Sequence, residues 1–190
     1  MKIAIQGIQG SFSESAAKTY AEKKQINDYK LDYRVSSENV LLALEQGECD
    51  YGIFALENST GGVVLETIYA LAKYRCTIQD LFFIMVEQSL IAKQGLTLDK
   101  ISAIYSHHQA LRQCKLYLAT HFSKIPRIET ADTALAAKQL YIGEIPETAA
   151  VICNKICADI YNLQLMAIGI NDLKDNQTQF IAATPFKENT

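Results

Sequence analysis

The sequence predicts an α/β protein of two lobes with a ligand cleft between them. Three observations carry that expectation. Short apolar strands alternate with helical patterns along the whole chain. They form two βα series, joined by one long extended stretch beginning at Thr77. The unusual polar clusters all fall where strands are expected to end, and open α/β sheets bind ligands at their strands' carboxyl ends. The first lobe is expected over 1–78 plus about 171–190, with the second, 79–170, inserted into it.

The opening KIAIQG reads as an apolar strand, followed by Gly7, Gly10 and a helix start at Ser11. Glu14 follows Ser11 at the capping-box offset. Asp32–Val35 reads as a second strand, and Ser36 or Ser37 caps a helix closed by Gly47. DYGIFAL, 50–56, is a third strand that runs into Glu57-Asn58-Ser59-Thr60-Gly61-Gly62, and a helix then covers Val64–Lys73. The extended stretch IQDLFFIMVEQSLIAK follows. Ile101–Tyr105 reads as a strand ending at Ser106-His107-His108-Gln109, then a helix through Leu111 and Leu118. Arg127–Glu129 is a strand, and Asp132-Thr133 opens the next helix. Ala149–Cys153 and Leu165–Ile170 are strands flanking a helix over Lys155–Tyr161, and Thr178–Thr184 is a last strand after a polar turn.

Eighteen Lys and Arg against 21 Asp and Glu leave a net charge of −3. A surface that tracks nucleic-acid phosphates needs a basic excess, so no nucleic-acid partner is expected. A small anionic substrate is compatible with this balance if its charge is met locally. No stretch resembles a secretory signal or a membrane span, which predicts a cytoplasmic protein with no membrane partner. The five cysteines are odd in number and scattered, as reduced thiols would be. Cys153 and Cys157 have helical spacing, but no His or second Cys pair completes a metal site. They read as buried apolar residues, and no metal is expected.

Gly7-x-x-Gly10-Ser11 has two readings: a capped βα turn, or a cradle whose backbone N–H groups take an anion. It lacks the third glycine of a dinucleotide site. The 57–62 segment packs four hydrogen-bonding side chains beside two glycines, either an ordinary loop or an acid and an amide at a cleft mouth. Adjacent His107 and His108 cannot face the same way, which argues against a metal pair. No nucleophile elbow of G-x-S-x-G type is present.

Taken in order, GIQGSFSESAA, GECDYGIFALENSTGGVV, IYSHHQALRQC, ETADTALAAK and AAVICNKICADIYNLQLMAIGINDLKDNQTQF resemble the prephenate dehydratase family over nearly the whole chain. The resemblance implies two α/β lobes akin to type II solute-binding proteins, with the second inserted into the first. It implies a decarboxylating dehydration of prephenate to phenylpyruvate in phenylalanine biosynthesis, with no cofactor. The threonine of the family's Thr-Arg-Phe motif carries over to Thr178, its Glu-Asn pair to Glu57 and Asn58, and its Ser-His-Pro-Gln to Ser106, His107 and Gln109. Thr178, Ser106, His107, Glu57 and Asn58 are the expected catalytic residues. Substrate contacts are expected from Gly10, Ser11, Ser59, Thr60, Gln109, Thr133, Gln179 and Phe180, with backbone N–H groups donating at Ser11 and Thr133.

Four positions depart from the family pattern. Gln179 stands where the family has Arg, and His108 where it has Pro. Ala55 replaces a proline, and Gly61 an acid. Three readings follow: prephenate dehydratase, arogenate dehydratase, or a catalytically weakened module that binds an aromatic or keto acid. No regulatory ACT domain is expected within these 190 residues, and a homodimer is compatible with the reading.

Overall fold

The computed structural model describes residues 1–187, and contacts divide them into two compact units. One unit holds Met1–Met85 together with the residues from Gln177 onward, and the other holds Val86–Asn176.

The first unit opens with β1 (Lys2–Ile5), α1 (Phe12–Lys23), β2 (Lys30–Tyr33) and α2 (Ser37–Glu45). It continues through β3 (Tyr51–Asn58), β4 (Gly62–Val63), α3 (Leu65–Lys73) and β5 (Cys76–Met85). In the second unit the chain forms β6 (Gln88–Ala92), β7 (Ala103–Ser106), α4 (His108–Gln113), α5 (Lys115–His121) and β8 (Arg127–Glu129). There follow α6 (Thr133–Ile142), β9 (Ala149–Asn154), α7 (Ile156–Ile160) and β10 (Gln164–Ala167). The chain then re-enters the first unit as β11 (Gln177–Pro185).

The first sheet runs β2-β1-β3-β11-β5, with β4 paired to β3. Strands β1, β2 and β3 are parallel, whereas β11 is antiparallel to both β3 and β5. Buried Ile3, Ile5, Phe82 and Phe180 pack with α1 on one face. On the other, Ala4, Phe54, Ile181 and Ala183 pack with Leu41 and Leu44 of α2 and Ala70 of α3. Gly52 makes the second contact close: a Cβ there would lie 2.7 Å from both Val40 Cγ1 and Leu44 Cδ1.

The second sheet runs β10-β6-β9-β7-β8, with β7, β8 and β9 parallel. Its central strand β9, AAVICN, is buried at every position, as expected of a strand covered on both faces. The α/β class read from the sequence therefore holds, with one sheet in each unit.

The unit boundaries differ from the sequence expectation of 78/79 and 170/171. Strand β5 pairs with β11 along its full length, from Cys76↔Pro185 to Met85↔Gln177, so the ladder draws residues 79–85 into the first unit. Just beyond it, the Val86 N–H donates to Asn176 O at 2.8 Å, so the outgoing and returning chains are bonded side by side. The expected strand to Ile170 is shorter, because Gly169 turns with φ +63 soon after β10.

Candidate active site

In the first unit the site begins where β3 and β11 meet. Their antiparallel register sets Asn58 opposite Thr178 and Glu57 opposite Gln179. Asn58 Oδ1 accepts the backbone N–H groups of Thr60 (3.0 Å) and Gly61 (2.7 Å) and the Thr60 hydroxyl (2.8 Å). Two backbone donors identify that atom as oxygen, so the amide nitrogen faces β11. It donates to Thr178 Oγ1 at 2.8 Å and to Gln177 O at 3.1 Å. Thr178 is 7% exposed. Because its oxygen accepts from Asn58, its own proton is directed elsewhere.

Ser59 and Thr60 serve this arrangement through their bonds. The Ser59 N–H donates to Gln177 O and Ser59 Oγ accepts the Gln177 N–H, pinning the turn to β11. Thr60 holds the Asn58 amide.

Strand alternation separates the remaining residues. Pairing between β11 and β5 is regular from Gln177 to Ala182, so Thr178 and Phe180 share one face and Gln179 lies on the other, with Ile181. Of the two residues expected to join Thr178 at the substrate, Phe180 shares its face of the strand and Gln179 does not. Phe180 is 2% exposed and stacks on Phe82 in the core beside α1. Gln179 lies opposite Phe83 and Glu57, on the α2 and α3 side.

The Gly10-Ser11 turn resolves to the capped form. Gly7 has φ +104, and a Cβ on it would lie 2.8 Å from Ser11 Oγ, so glycine lets the turn close. Ser11 Oγ accepts the Glu14 N–H at 3.3 Å. The N–H expected to meet an anion at Ser11 donates instead to Ile8 O, and that of Gly10 to Glu14 Oε2 at 2.7 Å. Sequence reasoning read Glu14 only as a cap. It is a buried carboxylate that also accepts from the Tyr33 hydroxyl (3.2 Å) and pairs with Lys18 (2.6 Å).

The second unit carries its own polar cluster at the carboxyl ends of β7 and β8. Ser106 pairs with Glu129, and its carbonyl accepts the Thr130 N–H at 2.9 Å. This brings Ser106-His107-Gln109 beside the turn that starts α6. Asp132 caps that helix by accepting the Leu135 N–H, and Thr133 is its first residue. Ser106 itself is fully buried, and its hydroxyl donates to Ile152 O at 2.6 Å. It braces β7 to β9, with its hydroxyl proton directed to a core carbonyl.

His107 is the N-cap of α4, with Nδ1 accepting the Gln109 N–H at 3.4 Å. The neutral ring then carries its proton on Nε2. Burial, and after it the neighbouring His108, push the His107 imidazole below its ordinary value. The two rings lie 4.2 Å apart at 49°. Asn154, at the carboxyl end of β9 and 5% exposed, was not singled out from the sequence. A lone Asn at a strand end gives no local signal.

The sequence profile of the prephenate dehydratase family matches residues 3–185. A prephenate dehydratase of Lactococcus lactis subsp. lactis (strain IL1403) is 33% identical over 185 residues, covering 95% of this chain and 62% of the relative. Arogenate dehydratase 1 of Petunia hybrida is 30% identical over 182 residues, 95% of this chain and 41% of that protein. The crystal structure of a prephenate dehydratase from Arthrobacter aurescens, in complex with L-Phe, superposes with a TM-score of 0.88 at 26% identity, over 100% of this chain and 63% of that one. The chain thus spans about three fifths of the bacterial relatives' length. With a family profile matched over nearly every residue and a shared fold, this chain belongs to the prephenate dehydratase family.

Proposed function

We propose that the chain converts prephenate to phenylpyruvate, as a cytoplasmic enzyme of phenylalanine biosynthesis. The ring carboxylate leaves as CO2, its bonding electrons form the new ring double bond, and the C4 hydroxyl departs with one proton as water. Aromatisation drives the reaction, so the protein's task is to orient the dianion and assist the departing hydroxide. We assign that assistance to Thr178. The observation that carries the reading is the Asn58 N–H bonded to Thr178 Oγ1 at 2.8 Å, beside a turn that the same amide organises. This bond polarises the hydroxyl and turns its proton outward. A threonine hydroxyl is too weak an acid to act unaided, so such a partner is required. The five cysteines are free, in keeping with a reducing compartment.

The test is direct. Purified chain is mixed with prephenate, and phenylpyruvate is followed by its absorbance in alkali. Saturable formation is expected, and none above the uncatalysed rate would end the assignment. The Petunia relative favours a second reading, arogenate as substrate. Phenylalanine released from arogenate, at a higher kcat/KM than phenylpyruvate from prephenate, would select it.

A further inference from the structure

We propose that Val35 sets how tightly this chain holds its substrate, through an isopropyl group presented at the carboxyl end of the first sheet. The inference rests on prephenate being that substrate. Val35 follows β2 with φ +67, the left-handed region that a β-branched side chain rarely enters. Among the described residues, the other non-glycine positions with positive φ are Gln25 and Asn162. Each stands just past a helix, α1 or α7, where a left-handed residue commonly closes the last turn. Val35 instead stands before a helix, ahead of the α2 cap Ser36. Bonds on both sides hold its conformation. Arg34 O accepts the Ser36 N–H at 2.8 Å and the Asn39 amide at 3.1 Å, and Val35 O accepts the Gly7 N–H at 2.9 Å. Strain of this kind persists only where the surroundings over-determine it.

These bonds require the backbone, not the side chain. Glycine or asparagine would make all of them at position 35 with less strain. What valine alone adds is an apolar group, and it is 63% exposed, so the core of its own chain does not account for it. Strands β1, β2 and β3 are parallel, so Val35 lies at the same pole of the sheet as Glu57 and Asn58. Open α/β sheets take their ligands at that pole. Only β1 separates β2 from β3, about 10 Å across the sheet. Prephenate carries its hydroxyl and its pyruvyl arm at opposite ends of the ring. With the hydroxyl at Thr178, the arm's end of the ring is the part left for Val35, and the product keeps that part. Such a contact serves ground state and transition state alike, so it acts on KM rather than on kcat.

Steady-state kinetics with prephenate, calorimetric binding of phenylpyruvate and thermal denaturation, all on the full chain, test this. Val35→Asn keeps the left-handed backbone and removes the apolar group. KM for prephenate and Kd for phenylpyruvate should each rise about tenfold, with kcat within about twofold of the parent. The melting temperature should rise by roughly 2–4 °C as strain is released. Val35→Gly should behave likewise, and it serves if the first variant fails to fold. Folded variants that keep the parent's KM and Kd overturn the inference while the catalytic reading stands. So does a raised KM accompanied by a lower melting temperature, which would make Val35 a packing residue. A parent that binds phenylpyruvate but forms none from prephenate ends the catalytic reading, and a tenfold rise in Kd for the variants then still supports the contact. A parent that neither turns over prephenate nor binds phenylpyruvate overturns both.

Discussion

Asn58 donates a side-chain N–H to Thr178 Oγ1 at 2.8 Å, joining residues 120 positions apart in sequence. The bond exists because β3 and β11 are antiparallel neighbours in this register, and because three donors hold the amide oxygen away from Thr178. Everything proposed for the chemistry depends on its direction: Asn58 gives, Thr178 receives, and the threonine proton remains for the substrate.

Thr178→Ala should therefore lower kcat by roughly a hundredfold or more, the range lost with a positioned proton donor. Thr178→Ser should restore much of it. Steady-state assays of both, with circular dichroism to confirm folding, check this. Parental turnover in Thr178→Ala would remove the residue from the mechanism.

Asn58→Asp separates the turn from the chemistry. One carboxylate oxygen can still accept from Thr60 and Gly61, while the other faces Thr178 as an acceptor. The hydrogen bond reverses and the threonine proton is drawn inward. An intact fold is expected, with kcat down roughly tenfold to a hundredfold. A variant with full activity would show that the bond's direction is irrelevant.

Gln179→Arg should leave kcat/KM within about twofold, because strand alternation turns residue 179 away from the face of Thr178. The new side chain would sit beside half-exposed Phe83 rather than be sealed in the core, so melting should change little. A clear fall in KM would mean that substrate reaches the opposite face of β11.

Ser106→Ala should cost about 1–3 kcal/mol of stability, since a buried carbonyl loses its donor. Thermal denaturation measures the loss. Turnover of the folded variant should stay within about threefold of the parent. A hundredfold drop without a stability change would return Ser106 to the reacting atoms.

His107 makes a pH-dependent contribution of known sign. Its folded pKa lies below the ordinary 6.5, so the unfolded chain binds the proton more readily. The stability it contributes is complete above 6.5 and is lost as pH falls through the lowered folded value. The drop in melting temperature between about pH 7.5 and about pH 5 should shrink in His107→Gln. An unchanged drop would assign the dependence to other groups.

Local features were legible in the sequence. The caps Ser11, Ser36 and Asp132 each accept the N–H three residues on, as their spacing with the following helices predicts. The apolar run of β3 and the buried run of β9 read as strands and form strands. What was not legible rests on pairing between distant segments. Nothing near Ser106 reveals that Ile152 O takes its proton. The same holds for Thr178 and Gln179. Adjacent in a motif, they look like one functional pair, yet the ladder sends them to opposite faces. Family resemblance names the motif, and only the register of β11 divides it.

The doorway between Met85 and Gln177 has a consequence for modular engineering. These residues face each other across adjacent antiparallel strands, so the 91 residues Val86–Asn176 form an insertion whose two ends meet. A two-residue Asn-Gly link from Met85 to Gln177 would close β5 and β11 as a hairpin and preserve every pairing of the first sheet. The segment Val86–Asn176 could likewise be exchanged for a foreign module with closely spaced termini, with the Thr178 and Asn58 bond as the reporter that the host sheet kept its register.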